Sequence, residues 1–115
     1  MTTLDAALRG AYSARDTDAL LALYADDATV EIVDAVHTPS HPILLRGRDA
    51  LRAHFADVFA RDMTHEIDAV VTGPNSLGYS LRCGYPDGTK VVCAATASLA
   101  GGTITHELGV QAWDA

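Results

Sequence analysis

Basic residues are scarce in this chain of 115 residues. Eight Lys and Arg stand against fifteen Asp and Glu, which gives a net charge of −7 at neutral pH. Nucleic acids and anionic membranes are bound mainly through cationic side chains, and no run of basic residues interrupts the acidic background. The composition therefore argues against both of these partners.

Long apolar runs and cofactor motifs are missing as well. No stretch approaches the ~18 consecutive apolar residues of a membrane helix, and no charged segment followed by an apolar run opens the sequence. A Gly-rich phosphate loop, a nucleophilic Ser or Cys motif and a convincing set of metal ligands are all absent. We therefore expect a soluble, cytoplasmic protein that uses neither a cofactor nor a metal.

Cysteine is rare, and its two occurrences are isolated. Cys83 and Cys93 both lie in strand-like sequence, and two such thiols form neither a metal knuckle nor a redox motif. We expect both to be reduced thiols that face opposite sides of a sheet, across a hairpin at residues 86–88.

Apolar residues recur at helical spacing in the first half of the chain. In the clearest case, Leu51, Phe55, Val58 and Phe59 fall at positions i, i+4, i+7 and i+8. Such stripes predict three helices, the second capped by Asp16, at residues 3–15, 17–24 and 48–61. A strand at 28–33 and a loop at 34–46 separate the second helix from the third.

From residue 64 onward the sequence consists of β-rich runs separated by turns. The runs predict strands at 64–72, 76–85, 89–100 and 103–113. Gly73-Pro74-Asn75, Pro86-Asp87-Gly88 and Gly101-Gly102 have the composition of hairpin turns. Strands joined by tight turns form an antiparallel meander, so we predict one α+β domain over residues 1–115.

Four segments resemble the nuclear transport factor 2-like superfamily, which includes the SnoaL-like and ketosteroid isomerase-like proteins. They are DTDALLALYADDATVE at 16–31, GRDALR at 47–52, GTITH at 102–106 and the closing Trp113-Asp114. The resemblance spans nearly the whole chain. It implies three N-terminal helices packed in a strongly curved, mixed but mainly antiparallel sheet, forming a cone with one pocket. It implies little about chemistry, because one fold hosts many functions.

The comparison with ketosteroid isomerase is informative because it fails. That enzyme needs a tyrosine and a protonated carboxyl as its oxyanion hole, and a carboxylate as its base. The resemblance places Leu8, Ile32 and Thr96 at these three positions. Steroid isomerisation by that mechanism is therefore not expected.

Three residues are the candidates for catalysis. His54 lies at the margin of the apolar stripe of the third helix, and the resemblance points it into the cone. The same resemblance turns Glu107 inward on the last strand, although a register displaced by one residue would turn it outward. Asp34, two residues beyond Ile32, is a second candidate base. We predict that His54 shares a proton, directly or through one water, with Glu107, or failing that with Asp34, and that the carboxylate raises the pKa of His54.

Polar residues predicted on the inner faces of the strands are the candidates for ligand binding. They are His65, Tyr79, Tyr85, Thr96 and Gln111. His65 begins a strand whose inner face would continue through Ile67, Ala69 and Val71, and His106 is expected on the outer side.

The sequence leaves three functions open. The chain is an acid–base enzyme of the isomerase, cyclase or dehydratase type acting on a small, mostly apolar ligand, a binding protein without chemistry, or a dimerisation module. We expect a homodimer formed through an apolar outer face of the last two strands. The residues predicted on that face are Val91, Cys93, Ala95, Leu99, Leu108 and Val110.

Overall fold

Local side chains and a glycine define where the helices begin. In the computed structural model, which describes residues 3–114, the Thr3 hydroxyl accepts a hydrogen bond from the Ala6 amide at 3.1 Å. The Asp16 carboxylate accepts one from the Ala19 amide at 3.0 Å, as predicted. Gly47 opens the third helix with φ of 82°, a conformation that favours glycine. The helices are α1 Leu4–Ala14, α2 Thr17–Leu21 and α3 Gly47–Ala60.

Six strands form one curved, mixed sheet in the order β2-β1-β6-β5-β4-β3. β1 and β6 pair in parallel, and every other neighbouring pair is antiparallel. The predicted α+β class and the meander of the last four strands are confirmed. The strands are β1 Tyr24–Val33, β2 Ile43–Arg46, β3 Thr64–Thr72, β4 Ser76–Gly84, β5 Lys90–Ala100 and β6 Thr103–Trp113.

Two elements near the start of the sheet differ from the prediction. The segment predicted as a loop at 34–46 contains β2, which is only four residues long and follows Pro42, so its strand signal is weak. α2 ends at Leu21, and the chain joins the sheet at Tyr24 because the Leu23 carbonyl accepts a hydrogen bond from the Ile104 amide at 2.9 Å. Pairing in the sheet thus overrides the helical spacing of Leu20, Leu23 and Tyr24.

The core lies between the helices and the inner face of the sheet. α1 packs against β3, and α3 packs against β1 and β2. The largest fully buried side chains are Leu8, Leu20, Leu21, Leu51 and Ile104. None of the helices found between residues 3 and 114 combines the length and apolar character that crossing a bilayer requires.

The faces of β5 are the reverse of the prediction. Val91 and Ala95 are buried and Leu99 packs against the core, whereas Thr96 is exposed on the outer side. Alternation could not orient this strand, because it carries small or apolar residues on both faces. Its pairing with β6 settles the orientation, since Thr96 pairs with the outward Leu108. The prediction holds for Leu108 and Val110.

The orientation of β5 also places the two cysteines differently. Cys83 and Cys93 are free thiols, but both point to the inner side of the sheet rather than to opposite sides. On β3, a bulge between Ile67 and Ala69 has a similar effect. Val70 packs against the core there, and Val71 is 72% exposed instead of facing inward.

Arginines of α1 cover the free edge of the sheet at β3. The Arg9 guanidinium donates to the Ile67 carbonyl at 3.0 Å, and the Arg15 guanidinium donates to the Met63 carbonyl just before the strand. An edge strand with unpaired carbonyls is a template for pairing with other chains. The Arg9 contact uses a carbonyl of β3, and both contacts hold α1 and its C-cap residue Arg15 against this edge.

Candidate functional site

A cavity of about 100 Å³ lies between the helices and the inner face of the sheet. Its wall is largely aromatic and aliphatic, with contributions from all three helices and five of the strands. The polar side chains on it are Tyr12, His54, Arg61, His65, Tyr79, Tyr85, Glu107 and Gln111. A second, more open depression runs along the ends of β3, β4 and β5.

Glu107 is the buried acid of this cavity. It lies on β6 between the outward His106 and the outward Leu108, and only 6% of it is exposed. β6 pairs with β1 through Val30 and with β5 through Ala97, both of which are buried on the same side. The predicted inward orientation of Glu107 agrees with the structure.

Tyrosine hydroxyls from two other strands hold the Glu107 carboxylate. Tyr24 Oη donates to Glu107 Oε1 at 2.9 Å and lies 3.0 Å from Oε2. Tyr79 Oη donates to Oε1 at 3.0 Å. Tyr12 of α1 lies beside Tyr79 on the cavity wall. We call Tyr12, Tyr24, Tyr79 and Glu107 the tyrosine–glutamate cluster.

Burial controls the protonation of this cluster. Removal from water raises the pKa of Glu107 to about 7, although the hydrogen bonds from Tyr24 and Tyr79 favour the charged form and lower it. Burial, together with the Glu107 charge, also raises the pKa values of Tyr12, Tyr24 and Tyr79. The three hydroxyls therefore keep their protons, and Glu107 is the member that titrates near neutral pH.

His54 lines the cavity, as predicted, but no hydrogen bond joins it to Glu107 among the described residues. The tyrosines occupy the carboxylate instead. The pKa of His54 is lowered by burial and by the Arg61 guanidinium, against a smaller opposing effect of Asp57. The two side chains therefore share no direct hydrogen bond, and the pKa of His54 is lowered rather than raised as predicted.

Asp34 and Thr96 do not reach the cavity. The Asp34 carboxylate accepts hydrogen bonds from the Val36 and His37 amides and contacts His37 Nδ1 at 2.8 Å, which ties it into the loop after β1. Partial burial raises the pKa of Asp34, but these hydrogen bonds outweigh that effect and hold the pKa below its usual value. Thr96 lies exposed on the outer face of β5. Neither residue can serve the role predicted for it.

The other predicted ligand contacts lie on the cavity wall. His65 Nδ1 is 3.4 Å from Cys83 Sγ, at the start of β3. Tyr85 stacks on Trp113 with ring centroids 6.0 Å apart, and Gln111 Oε1 accepts a hydrogen bond from Trp113 Nε1 at 3.1 Å. Burial raises the pKa of both cavity cysteines, to about 11 for Cys83 and about 12 for Cys93, so neither is a thiolate near neutral pH.

The sequence model of the SnoaL-like domain matches residues 4–107. The chain belongs to the SnoaL-like family. The expected membership of the nuclear transport factor 2-like superfamily is thereby confirmed. No functionally curated protein matches this sequence.

Several solved structures have a fold similar to that of this chain. A nuclear transport factor 2-like protein of unknown function from Mesorhizobium loti is 17% identical, with 91% of this chain and 84% of that chain covered and a TM-score of 0.78. A nuclear transport factor 2-like protein of unknown function from Burkholderia xenovorans is 21% identical, with 94% and 77% covered and a TM-score of 0.74. A protein with a ketosteroid isomerase-like fold from Catenulispora acidiphila, in complex with trimethylamine, is 21% identical, with 94% and 85% covered and a TM-score of 0.70.

This SnoaL-like domain carries residues of the tyrosine–glutamate cluster and of the cavity wall that the sequence interpretation missed. In the sequence, Tyr12 and Tyr24 fall at the spacing of apolar helix stripes, although a buried tyrosine hydroxyl usually has a hydrogen-bond partner. Tyr12 stands one helical turn after Leu8, the position compared with the isomerase tyrosine. Arg61, the C-cap of α3, also lies on the wall. Within residues 3–114, no group of three or more His, Cys, Asp and Glu side chains is arranged to hold a metal ion.

The raised pKa of Glu107 predicts a specific dependence of stability on pH. Its folded pKa of about 7 exceeds the value of about 4.5 for an unfolded glutamate, so the folded state binds more protons between those values. The free energy of unfolding should therefore fall by about 3 kcal/mol from this group as the pH rises from 4.5 to above 7. Glu107→Gln should lose this dependence. Its free energy of unfolding, compared with that of the unmodified protein, should therefore be higher at pH 8 than at pH 5. Urea unfolding at pH 5 and pH 8 measures the free energy of unfolding of both proteins. An equal change between the two pH values in both proteins would contradict the burial argument.

Proposed function

We propose that the cavity binds a small, mostly apolar molecule and that Glu107 exchanges a proton with it, without a cofactor. The observation that carries the proposal is an ionisable carboxyl group, 6% exposed, on the wall of an apolar cavity. A group with a pKa near the working pH is suited to general acid–base catalysis, because it can both donate and accept a proton.

The tyrosine hydroxyls add a second chemical property. They remain protonated, so they donate hydrogen bonds to whichever oxygen carries negative charge, that of Glu107 or that of a ligand. Such donors are most effective where charge develops in a site with little water. Proton removal next to a carbonyl group, with the resulting oxyanion held by Tyr79, which lines the cavity, is the reaction class this arrangement supports. Isomerisation, cyclisation and dehydration all contain such a step.

The size of the cavity restricts the ligand. About 100 Å³ is below the ~300–1,000 Å³ of pockets for drug-sized molecules. Trimethylamine in the Catenulispora acidiphila protein is also small. A ligand of one small ring or a short branched chain fits this volume better than a steroid.

A binding protein without chemistry is the second candidate. It is supported by the same apolar wall and by the absence of a hydrogen bond between His54 and Glu107, which leaves the site with one acid–base group rather than a linked pair. The two candidates differ in whether Glu107 moves a proton on bound ligand.

Deuterium exchange into a small ketone tests proton transfer directly. Incubation of the protein with cyclohexanone in D₂O should speed the loss of the α-proton NMR signal, because the Glu107 carboxylate acts as a base. Glu107→Gln should lower the protein-dependent rate by roughly 100-fold or more, the usual contribution of a general base. The rate should rise with pH and level off above about 7, where Glu107 is ionised.

Glu66→Gln is the matched control, because Glu66 is exposed on β3 and does not line the cavity. It should exchange as fast as the unmodified protein. Equal rates in all three proteins, no higher than in buffer, would reject proton transfer and leave binding alone.

We further propose that the protein is a symmetric homodimer formed through the outer face of β5 and β6. The side chains that the structure places on that face are mostly small and apolar: Val92, Ala94, Thr96, Leu108, Val110 and Ala112. Val92 and Val110 lie on central strands of the sheet and are 39% and 47% exposed. Exposed apolar residues grouped on one face often mark an interface. Two copies of such a face can pack on each other about a two-fold axis.

Light scattering tests the dimer. The unmodified protein should have twice the chain mass of 12.1 kDa, and Ala94→Arg should return it to one chain mass by placing a charge in the centre of the face. Ser13→Arg, on the exposed side of α1, should leave the dimer intact. A mass of 12.1 kDa for the unmodified protein at micromolar concentration would contradict this assembly.

A further inference from the structure

The cavity carries opposite charges at its two ends. Among its lining residues, Glu107 is the one Asp or Glu and Arg61 is the one Arg or Lys. Glu107 is 6% exposed, whereas the Arg61 side chain is 43% exposed and Trp113, which stacks on Tyr85, is 38% exposed. The cavity therefore runs from a buried carboxyl to a guanidinium at its mouth.

The Arg61 guanidinium is positioned before any ligand arrives. Its backbone is fixed, since the Arg61 amide donates to the Val58 carbonyl at 3.2 Å and the Arg15 guanidinium donates to the Arg61 carbonyl at 3.2 Å. Its Nη2 donates to Asp57 at 2.6 Å and its Nη1 lies 3.4 Å from Tyr85 Oη. A guanidinium has five N–H groups, so donors remain for a further acceptor.

Aromatic and amide groups complete the mouth. Tyr85 and Trp113 stack at 27° between ring planes, which gives a flat apolar wall next to Arg61. Gln111 uses its Oε1 to accept from Trp113 Nε1, which fixes the amide and leaves its NH₂ group as a donor on the cavity wall. The mouth thus offers N–H donors and one positive charge beside a flat surface.

We propose that the ligand is a small monocarboxylate with an apolar body, held by Arg61 and Gln111 at the mouth and by the tyrosine–glutamate cluster at the buried end. The inference rests on the proposed function for the buried end and adds the charge of the ligand. Guanidinium and carboxylate match in shape, and charge-assisted hydrogen bonds between them are about twice as strong as neutral ones.

The charges favour one negative charge on the ligand rather than two. Arg61 is already partly neutralised by Asp57, and the chain as a whole carries −7. A phosphate dianion would meet one partly neutralised cation and an acidic surrounding field, whereas a monocarboxylate carries less charge and is repelled less by that field.

Benzoate and benzamide are a matched pair of probes, because they share size and shape and differ in charge. Both are titrated into ¹⁵N-labelled protein at pH 6, where Glu107 is mostly protonated and does not repel an anion. Benzoate should bind roughly tenfold more tightly than benzamide, the difference expected for a hydrogen-bonded ion pair. Arg61→Gln should remove this preference while changing benzamide affinity less than about twofold.

Two further variants separate recognition from structure. Arg52→Gln, on the same helix but paired with Asp18 and absent from the cavity wall, should keep the full preference. Asp57→Asn removes the carboxylate that competes for Arg61, so benzoate should bind more tightly than to the unmodified protein. If Arg61 and Asp57 only stabilise the fold, Asp57→Asn should weaken or leave unchanged the binding of both probes.

The outcomes distinguish this inference from the proposed function. Equal binding of the two probes, unaffected by Arg61→Gln, overturns the monocarboxylate, while the ketone exchange experiment still decides the role of Glu107. Failure of both probes to bind overturns the monocarboxylate as well. A benzoate preference that survives Arg61→Gln would assign anion recognition to another group and also overturn it.

Discussion

The burial of the Glu107 carboxyl group is the constraint on which the site depends. A carboxylate removed from water without partners costs several kcal/mol, and the hydroxyls of Tyr24 and Tyr79 offset part of that cost. These residues come from β1, β4 and β6, and Tyr12 comes from α1. The cluster can therefore form only when the curved sheet and the first helix are in place together.

The same low-dielectric surroundings link this constraint to function. They raise the pKa of Glu107 towards neutrality and strengthen the hydrogen bonds that the tyrosines donate. At the other end of the cavity, partial exposure leaves Arg61 charged and near Asp57. In the proposed function, a small ligand would pass from the charged mouth to the interior where Glu107 would exchange a proton. The fold positions these side chains, and the proposed chemistry depends on them rather than on the fold.

The sequence predicted the fold well, because hairpin turns and apolar stripes are local signals. The inward face of β6 came from the family resemblance, because the opposite face with Leu108 and Val110 is apolar and alternation alone would have turned it inward. The orientation of β5 was wrong, because both of its faces carry small or apolar residues. The sequence around Tyr24 is compatible with a helix and with a strand. Its place in the sheet is set by its pairing with Ile104, which is distant in the chain. His54 was placed on the correct wall, yet a helical position cannot reveal that two tyrosines already occupy the carboxylate.

The most direct test of this account is the pH titration of Glu107 followed by its side-chain carboxyl ¹³C chemical shift. The account predicts a midpoint of about 7, far above that of an exposed glutamate. It also predicts a higher midpoint in Tyr24→Phe, because the lost hydroxyl favours the charged carboxylate. A midpoint near 4.5 in the unmodified protein would contradict the central claim, since Glu107 would then be ionised throughout the neutral range and unable to donate a proton.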